Sequence, residues 1–229
     1  MRKQQQIWHD EHANIGTLPP MANTEPSKGV VNFTDYLAEQ SVNLFGRAVD
    51  IGSGKGRNSI HLAKLGFEVW GLEYIESAIE IYRKLAEANG VEGRIHFELA
   101  EIDKHWEFKD DFFDVAVDSF SSIDIETKEG REIYRDEMHR TLKQGGYALV
   151  GVCSADDDWE KELIKNHPGP EKNSTLWPQN GKFQKDYDEE ELREFYNIFE
   201  IVELKKTSGP VVKLGRKGIA TNLWLILRK

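Results

Sequence analysis

Between Arg47 and Cys153 short apolar runs alternate with amphipathic stretches, except that no helix separates Arg94–Leu99 from Phe112–Asp118. Arg47–Ile51, Phe67–Leu72, Arg94–Leu99, Phe112–Asp118 and Tyr147–Cys153 have the length and apolar character of strands. Arg57–Leu65, Ile75–Asn89 and Lys128–Lys143 carry apolar residues at helical spacing, and Gly66 and Gly90 close two of them. Successive strands joined by helices run parallel, because reversing the chain twice requires a crossover, and the crossover helices cover both faces of the sheet. The expected fold is therefore α/β, a three-layer, doubly wound, mostly parallel sheet.

The flanks read differently. Residues 1–28 include Pro19, Pro20 and Pro26 and are expected to form a mobile flap, with at most a short turn around Ile7–Ala13. From Gly29 the positions Val30, Phe33, Leu37 and Leu44 recur at helical spacing, so an amphipathic helix is expected up to Gly46. Beyond Cys153 a helix over Asp156–Asn166 precedes a Pro-, Gly- and Asn-rich loop at 167–185, and Asp188 is placed to cap an acidic helix ending at Tyr196. Two apolar strands come next, Ile198–Lys205 and Ile219–Leu227, joined by a turn-rich Ser208–Gly218. With no helix between them they should pair antiparallel. At 229 residues the chain suits one domain over 29–229, with a substrate-side insertion near 154–187.

Charge and cysteine content exclude several functions. With 40 acidic against 30 basic residues the net charge is −10, so a polyanion would bind against the overall field and nucleic acid is not an expected partner. The basic stretch Lys205–Lys217 reads either as a solvated hairpin or as a phosphate-binding patch. A single cysteine, Cys153, rules out an internal disulfide and leaves no cysteine cluster for a metal. It is expected to be a buried, inert thiol in a protein of the reducing cytoplasm, with no metal site. No apolar stretch approaches the length of a signal or a membrane span, so a soluble protein is expected. Oligomeric state is not readable.

The chemistry concentrates in Asp50-Ile51-Gly52-Ser53-Gly54-Lys55-Gly56, between the first strand of the alternating region and its helix. Glycines there let backbone approach a ligand closely. Glu73, at the end of the next strand, is spaced to accept both hydroxyls of a ribose. The pair points to a nucleoside-bearing cofactor. A dinucleotide site would place its third glycine at position 57, where Arg57 stands, and Asp50 would repel a pyrophosphate. A cationic sulfonium ligand suits an acidic pocket better.

In their order these motifs resemble the class I S-adenosylmethionine-dependent methyltransferases, over roughly Val30–Lys229. The resemblance implies a seven-stranded sheet whose last strand is antiparallel and inserted beside the fifth. It implies that Asp50, Gly52, Ser53, Gly54 and Gly56 form the donor loop, with Asn58 near the methionine part and Glu73 and Tyr74 at the ribose. Ala100-Glu101-Ile102 resembles the adenine-contacting segment, although Ala100-Glu101 stands where the family commonly has Gly-Asp. Asp118-Ser119-Phe120 would face the methyl donor, with a capping role for Asp118 equally open. Leu142–Gly146 resembles the turn into the fifth strand. The segment Gly56–Phe67, Trp8 and the helix start Tyr187–Leu192 are most similar to the small-molecule branch that holds tellurite-resistance and thiopurine methyltransferases.

The implied reaction is methyl transfer from S-adenosylmethionine to a small-molecule acceptor by in-line displacement. A protein side chain as acceptor and a nicotinamide-dependent oxidoreductase are the alternatives. No catalytic residue is assigned, because a base is needed only where the acceptor loses a proton. His9 and His12, with Trp8, either close over the donor or lie in solvent. Trp159, Trp177 and His167 either select the acceptor or pack their loop. Arsenic methylation is disfavoured, since related enzymes use several cysteines.

Overall fold

Strand β1 (Gly46–Ile51) lies between β2 (Phe67–Glu73) and β4 (Phe113–Ser119) and is parallel to both. In the computed structural model, which describes residues 3–13, 23–213 and 216–229, the seven-stranded order is β3-β2-β1-β4-β5-β9-β8. Here β3 is Ile95–Leu99, β5 is Leu142–Cys153, β8 is Glu200–Lys213 and β9 is Arg216–Arg228. β9 runs antiparallel between β5 and β8. Strand order reverses between β1 and β4, which opens a crevice at the carboxyl ends of the central strands.

Both faces of the sheet are covered. On one, Val30, Phe33 and Leu37 of α2 (Lys28–Glu39) pack with Leu62 of α3 (Arg57–Leu65) and Tyr82 of α4 (Glu76–Ala88). On the other, Tyr134 and Met138 of α5 (Lys128–Thr141) and Leu192 of α7 (Glu189–Phe195) pack on Val49, Ile51 and Leu225. β1 serves both layers by alternation, sending Ala48 to one face and Val49 to the other. Ser27 caps α2 and Asp188 caps α7, the latter as the sequence implies. α6 (Asp158–Asn166) completes the substrate side. Among the described residues no helix is long and apolar enough to cross a membrane.

Helix α2 stops at Glu39, short of the expected end near Gly46, and Leu142–Gly146 is the start of β5 rather than a turn before it. Three further segments depart from the sequence reading. Lys3–Ala13 is a helix, α1, rather than a loop with a short turn. Its order comes from docking: Gln4 is buried and bonds to Phe183, far along the chain. Residues 1–2 and 14–22 of the expected flap lie outside the described residues. The 167–185 loop contains a hairpin of β6 (Ser174–Leu176) and β7 (Phe183–Lys185). The supposed turn at Ser208–Gly218 is the extension of β8 and β9 into a long hairpin, with Gly209 opposite Ala220 and Pro210 opposite Ile219. Proline is tolerated there because β8 is an edge strand.

The β1–α3 turn has strict backbone demands. Gly54 (φ +56°) and Gly56 (φ +79°) both occupy the left-handed region, but their surroundings differ. A Cβ on Gly56 would lie 1.9 Å from the Tyr82 ring, whereas one on Gly54 would have no neighbour within 4 Å. Gly56→Ala is expected to destabilise the fold by about 3 kcal/mol through strain plus overpacking. Gly54→Ala should cost about 1 kcal/mol from backbone conformation alone. Urea unfolding of the two variants checks this, and equal costs would contradict the packing assigned to Tyr82.

Candidate active site

A cavity of about 460 Å³ occupies the crevice at the strand-order reversal, within the size range of small-ligand sites. Its floor is the turn Gly52–Lys55 and its walls are Glu73–Ile75, Glu101–Asp103 and the segment after β4. Gln4, Trp8 and His12 of α1, with Trp177, Lys182 and Gln184 around the β6–β7 hairpin, form the roof.

Glu73 is the organising side chain. One carboxylate oxygen accepts from Ile75 N (2.7 Å) and the other from Gly54 N (2.9 Å), so the group ties the end of β2 to the glycine turn. Burial pushes its carboxyl up to about 7, against the pull of these backbone donors. The carboxylate thus stands at the cavity wall on a fixed backbone.

Of the residues singled out from sequence, Gly52, Ser53, Gly54, Asn58, Glu73, Tyr74, Glu101 and Ile102 converge on this cavity. Three do not. Asp50 is 1% exposed beneath the turn, where Ser59 Oγ donates to it at 2.5 Å and burial pushes its carboxyl up to about 6. It shares the α3-facing side of β1 with Ala48, so it cannot also point into the crevice. Gly56 packs against Tyr82 instead of lining the cavity. Asp118 is fully buried and accepts from Ser121 N (2.7 Å), Ser122 N (3.2 Å) and Tyr134 OH (2.7 Å), which makes it the cap of the turn after β4.

The aromatic and histidine candidates also separate. Trp8, His12 and Trp177 line the cavity, while His9, Trp159 and His167 do not. His12 is buried, contrary to the solvent-exposed alternative, and burial lowers its pKa to about 4. Cys153 is half-buried and borders the cavity rather than lying inert in the core. Beside it, Glu160 and Asp186 bring ligand atoms within 4.8 Å of its sulfur and of each other. Gln184 Nε2 donates to both carboxylates, giving these neighbouring buried acids a shared partner. Sequence reasoning missed Gln4, Asp124, Lys182 and Gln184, which carry no motif and reach the cavity only through tertiary docking.

A family model described as a methyltransferase domain matches residues 46–201. The chain belongs to the class I S-adenosylmethionine-dependent methyltransferase family. It is similar to the protein-lysine N-methyltransferase EFM4 of Saccharomyces cerevisiae, at 25% identity over 63% of this chain and 66% of that protein. It is similar to TehB of Haemophilus influenzae, a probable S-adenosyl-L-methionine-dependent methyltransferase, at 22% identity over 75% of this chain and 52% of that protein. The matches span less than two thirds of either relative's length. A solved S-adenosylmethionine-dependent methyltransferase from Methanosarcina mazei shares the fold, with TM-score 0.72 and 20% identity over 84% of this chain and 96% of that one.

The cavity of this methyltransferase fits the family's methyl donor, S-adenosylmethionine. A side chain at Gly54 would stand in open space at the cavity, so glycine leaves room for a ligand against backbone. The acids at the wall, Glu73, Glu101 and Asp103, suit a cationic ligand. Glu73 and Tyr74 would hold the sugar, Glu101 and Ile102 the base, and the Gly52–Gly54 turn with Asn58 the amino-acid part.

Glu73→Ala should weaken S-adenosylhomocysteine binding by about 1.5–3 kcal/mol, the scale of hydrogen bonds to a charged group, in titration calorimetry. Undiminished binding would remove Glu73 from the site. Asp50 and Glu73 have folded-state pKa values of about 6 and about 7, above their ordinary 3.8 and 4.5. The folded state therefore holds these protons more tightly, and their stabilising contribution is lost as pH rises from about 4 through 7. The ligand-free thermal midpoint should fall from pH 5 to pH 8, and Asp50→Asn should shrink that fall. An unchanged fall would contradict the buried carboxyl.

Proposed function

We propose that this protein transfers a methyl group from S-adenosylmethionine to a small-molecule acceptor. The observation that carries the reading is the roof over the cavity. Gln4 of α1 pairs with the backbone of Phe183 as a strand would, accepting from its N–H at 2.9 Å and donating to its carbonyl at 2.9 Å, and also donates to Asp124 O at 3.2 Å. Glu11 of the same helix pairs with Lys182 Nζ at 3.1 Å. An acceptor beneath such a roof must share a cavity of about 460 Å³ with the donor, which suits a small molecule better than a folded protein's side chain.

When bound, the donor supplies an electrophilic methyl group on a positively charged sulfur. The chain's own contribution is placement and exclusion of water: Glu73 and the glycine turn fix one partner, and α1 with the β6–β7 hairpin encloses the other. Orientation of this kind contributes on the order of 7–11 kcal/mol to lowering the barrier. Helix α1 serves as a flap over the cavity, beside a single domain at 29–229 whose 154–187 segment forms the acceptor side. The reading places the protein in a reducing cytoplasm, where Cys153 stays a thiol. Its net charge of −10 disfavours nucleic acid as acceptor.

Similarity to EFM4 favours a second reading, methylation of a protein lysine. Incubation with methyl-labelled donor separates the two. Label is expected in a pool of thiols, phenols, amines and oxyanions, and label found only in a protein extract would overturn the small-molecule reading. Gln4→Ala should loosen the roof and speed S-adenosylhomocysteine release about tenfold in stopped-flow fluorescence of Trp8 and Trp177, as one or two hydrogen bonds of about 1 kcal/mol each imply.

A further inference from the structure

We propose that Asp124 is the general base of an acceptor subsite beneath α1, and that this subsite takes a planar acceptor bearing an acidic O–H or ring N–H. The proposal rests on the methyl-transfer reading and names its substrate class.

Asp124 ends the single helical turn Ser122–Asp124 after β4 and lines the cavity. Its position is fixed from two sides: Asp118 caps the turn from below through Ser121 N and Ser122 N, and Gln4 holds its carbonyl from the roof. The charged groups facing its carboxyl are Lys182 beside the β6–β7 hairpin, Glu11 on α1 and Asp118 beneath. Burial, Glu11 and Asp118 raise the carboxyl to about 7 against the opposing pull of Lys182. A base that titrates near working pH is well matched to taking a proton in the transition state.

The surroundings select the acceptor. Lys182 is buried with Nζ 4.1 Å from the centre of the Trp8 ring and 5.1 Å from that of Trp177. This cation, which also pairs with Glu11, stabilises negative charge that develops on an acceptor oxygen or ring nitrogen. The two indoles offer flat walls to a planar ring. His12, also cavity-lining, has a buried Nδ1 with no hydrogen-bond partner among the described residues. Its low pKa keeps the ring neutral, so that nitrogen is open to a polar group of the acceptor. A preformed soft anion would need no base at all.

The step balances simply. The acceptor's proton passes to Asp124 while its oxygen or nitrogen pair forms the bond to the methyl carbon. The methyl–sulfur pair returns to sulfur, and Asp124 then releases the proton to solvent.

The test uses the full chain with 4-nitrophenol, 2-naphthol, thiophenol and benzylamine as probes. At saturating donor, turnover of 2-naphthol, which stays protonated in solution across this range, should rise with pH through about 7, and Asp124→Asn should lose about 10²- to 10⁴-fold together with that limb. Unchanged S-adenosylhomocysteine affinity in Asp124→Asn shows that the variant is folded. A second readout needs no turnover: with S-adenosylhomocysteine present, bound 4-nitrophenol should show the phenolate absorbance, and Lys182→Met should move its ionisation to higher pH. A pH limb that survives in Asp124→Asn, turnover of benzylamine but not the phenols, or wild-type protein that binds S-adenosylhomocysteine but no phenol would overturn the proposal. Failure to bind S-adenosylhomocysteine at all would instead overturn the methyl-transfer reading beneath it.

Discussion

One carboxylate bonded to two backbone amides holds the site together. Glu73 fastens the end of β2 to Gly54 in the neighbouring turn and to Ile75 at the start of α4, so the crevice wall and its floor keep one geometry. Burying that carboxyl costs free energy, as its upward shift records. A ligand bearing vicinal hydroxyls can add donors to the same group and offset that cost. The same side chain therefore shapes the floor of the cavity and, on the proposed reading, its affinity for a nucleoside.

A second carboxylate plays the matching part across the strand-order reversal. Asp118 caps the turn after β4, and that turn carries Phe120 in the left-handed region (φ +70°) and delivers Asp124 to the cavity. Backbone of this kind is strained in a non-glycine residue and persists where surrounding structure holds it. On the proposed reading the donor side is built on β1 and β2 and the acceptor side on β4, with the roof closing both.

The sheet was legible because its signal is local. Period-two and helical spacing gave every central strand and helix within a few residues, and the glycine turn with Glu73 gave the donor wall. The same alternation also held the answer for Asp50 and Asp118, whose partners lie on opposite faces: Asp50 falls with Ala48 on the α3 side, and Asp118 faces Tyr134 of α5. Proximity to the motif suggests that Asp50 faces the ligand, whereas for Asp118 a capping role stands equally open, and the cap is what the fold shows. The roof left no local trace. α1 is held by Gln4, whose partners lie 120 and 179 residues away, and Lys182 acquires its role only when α1 brings Trp8 and Glu11 over it. Ser208–Gly218 misled for the opposite reason, since its turn-forming residues sit in an edge hairpin that tolerates them.

If the carboxyl ends of β1, β2 and β4 form one nucleoside-binding crevice governed by Glu73, a crystal structure of the protein grown with S-adenosylhomocysteine will show it most directly. The ligand is expected in that crevice, with its ribose hydroxyls on the Glu73 carboxylate and its amino-acid end beneath α1. A ligand seated elsewhere, or one in the crevice that leaves Glu73 untouched, would contradict this arrangement.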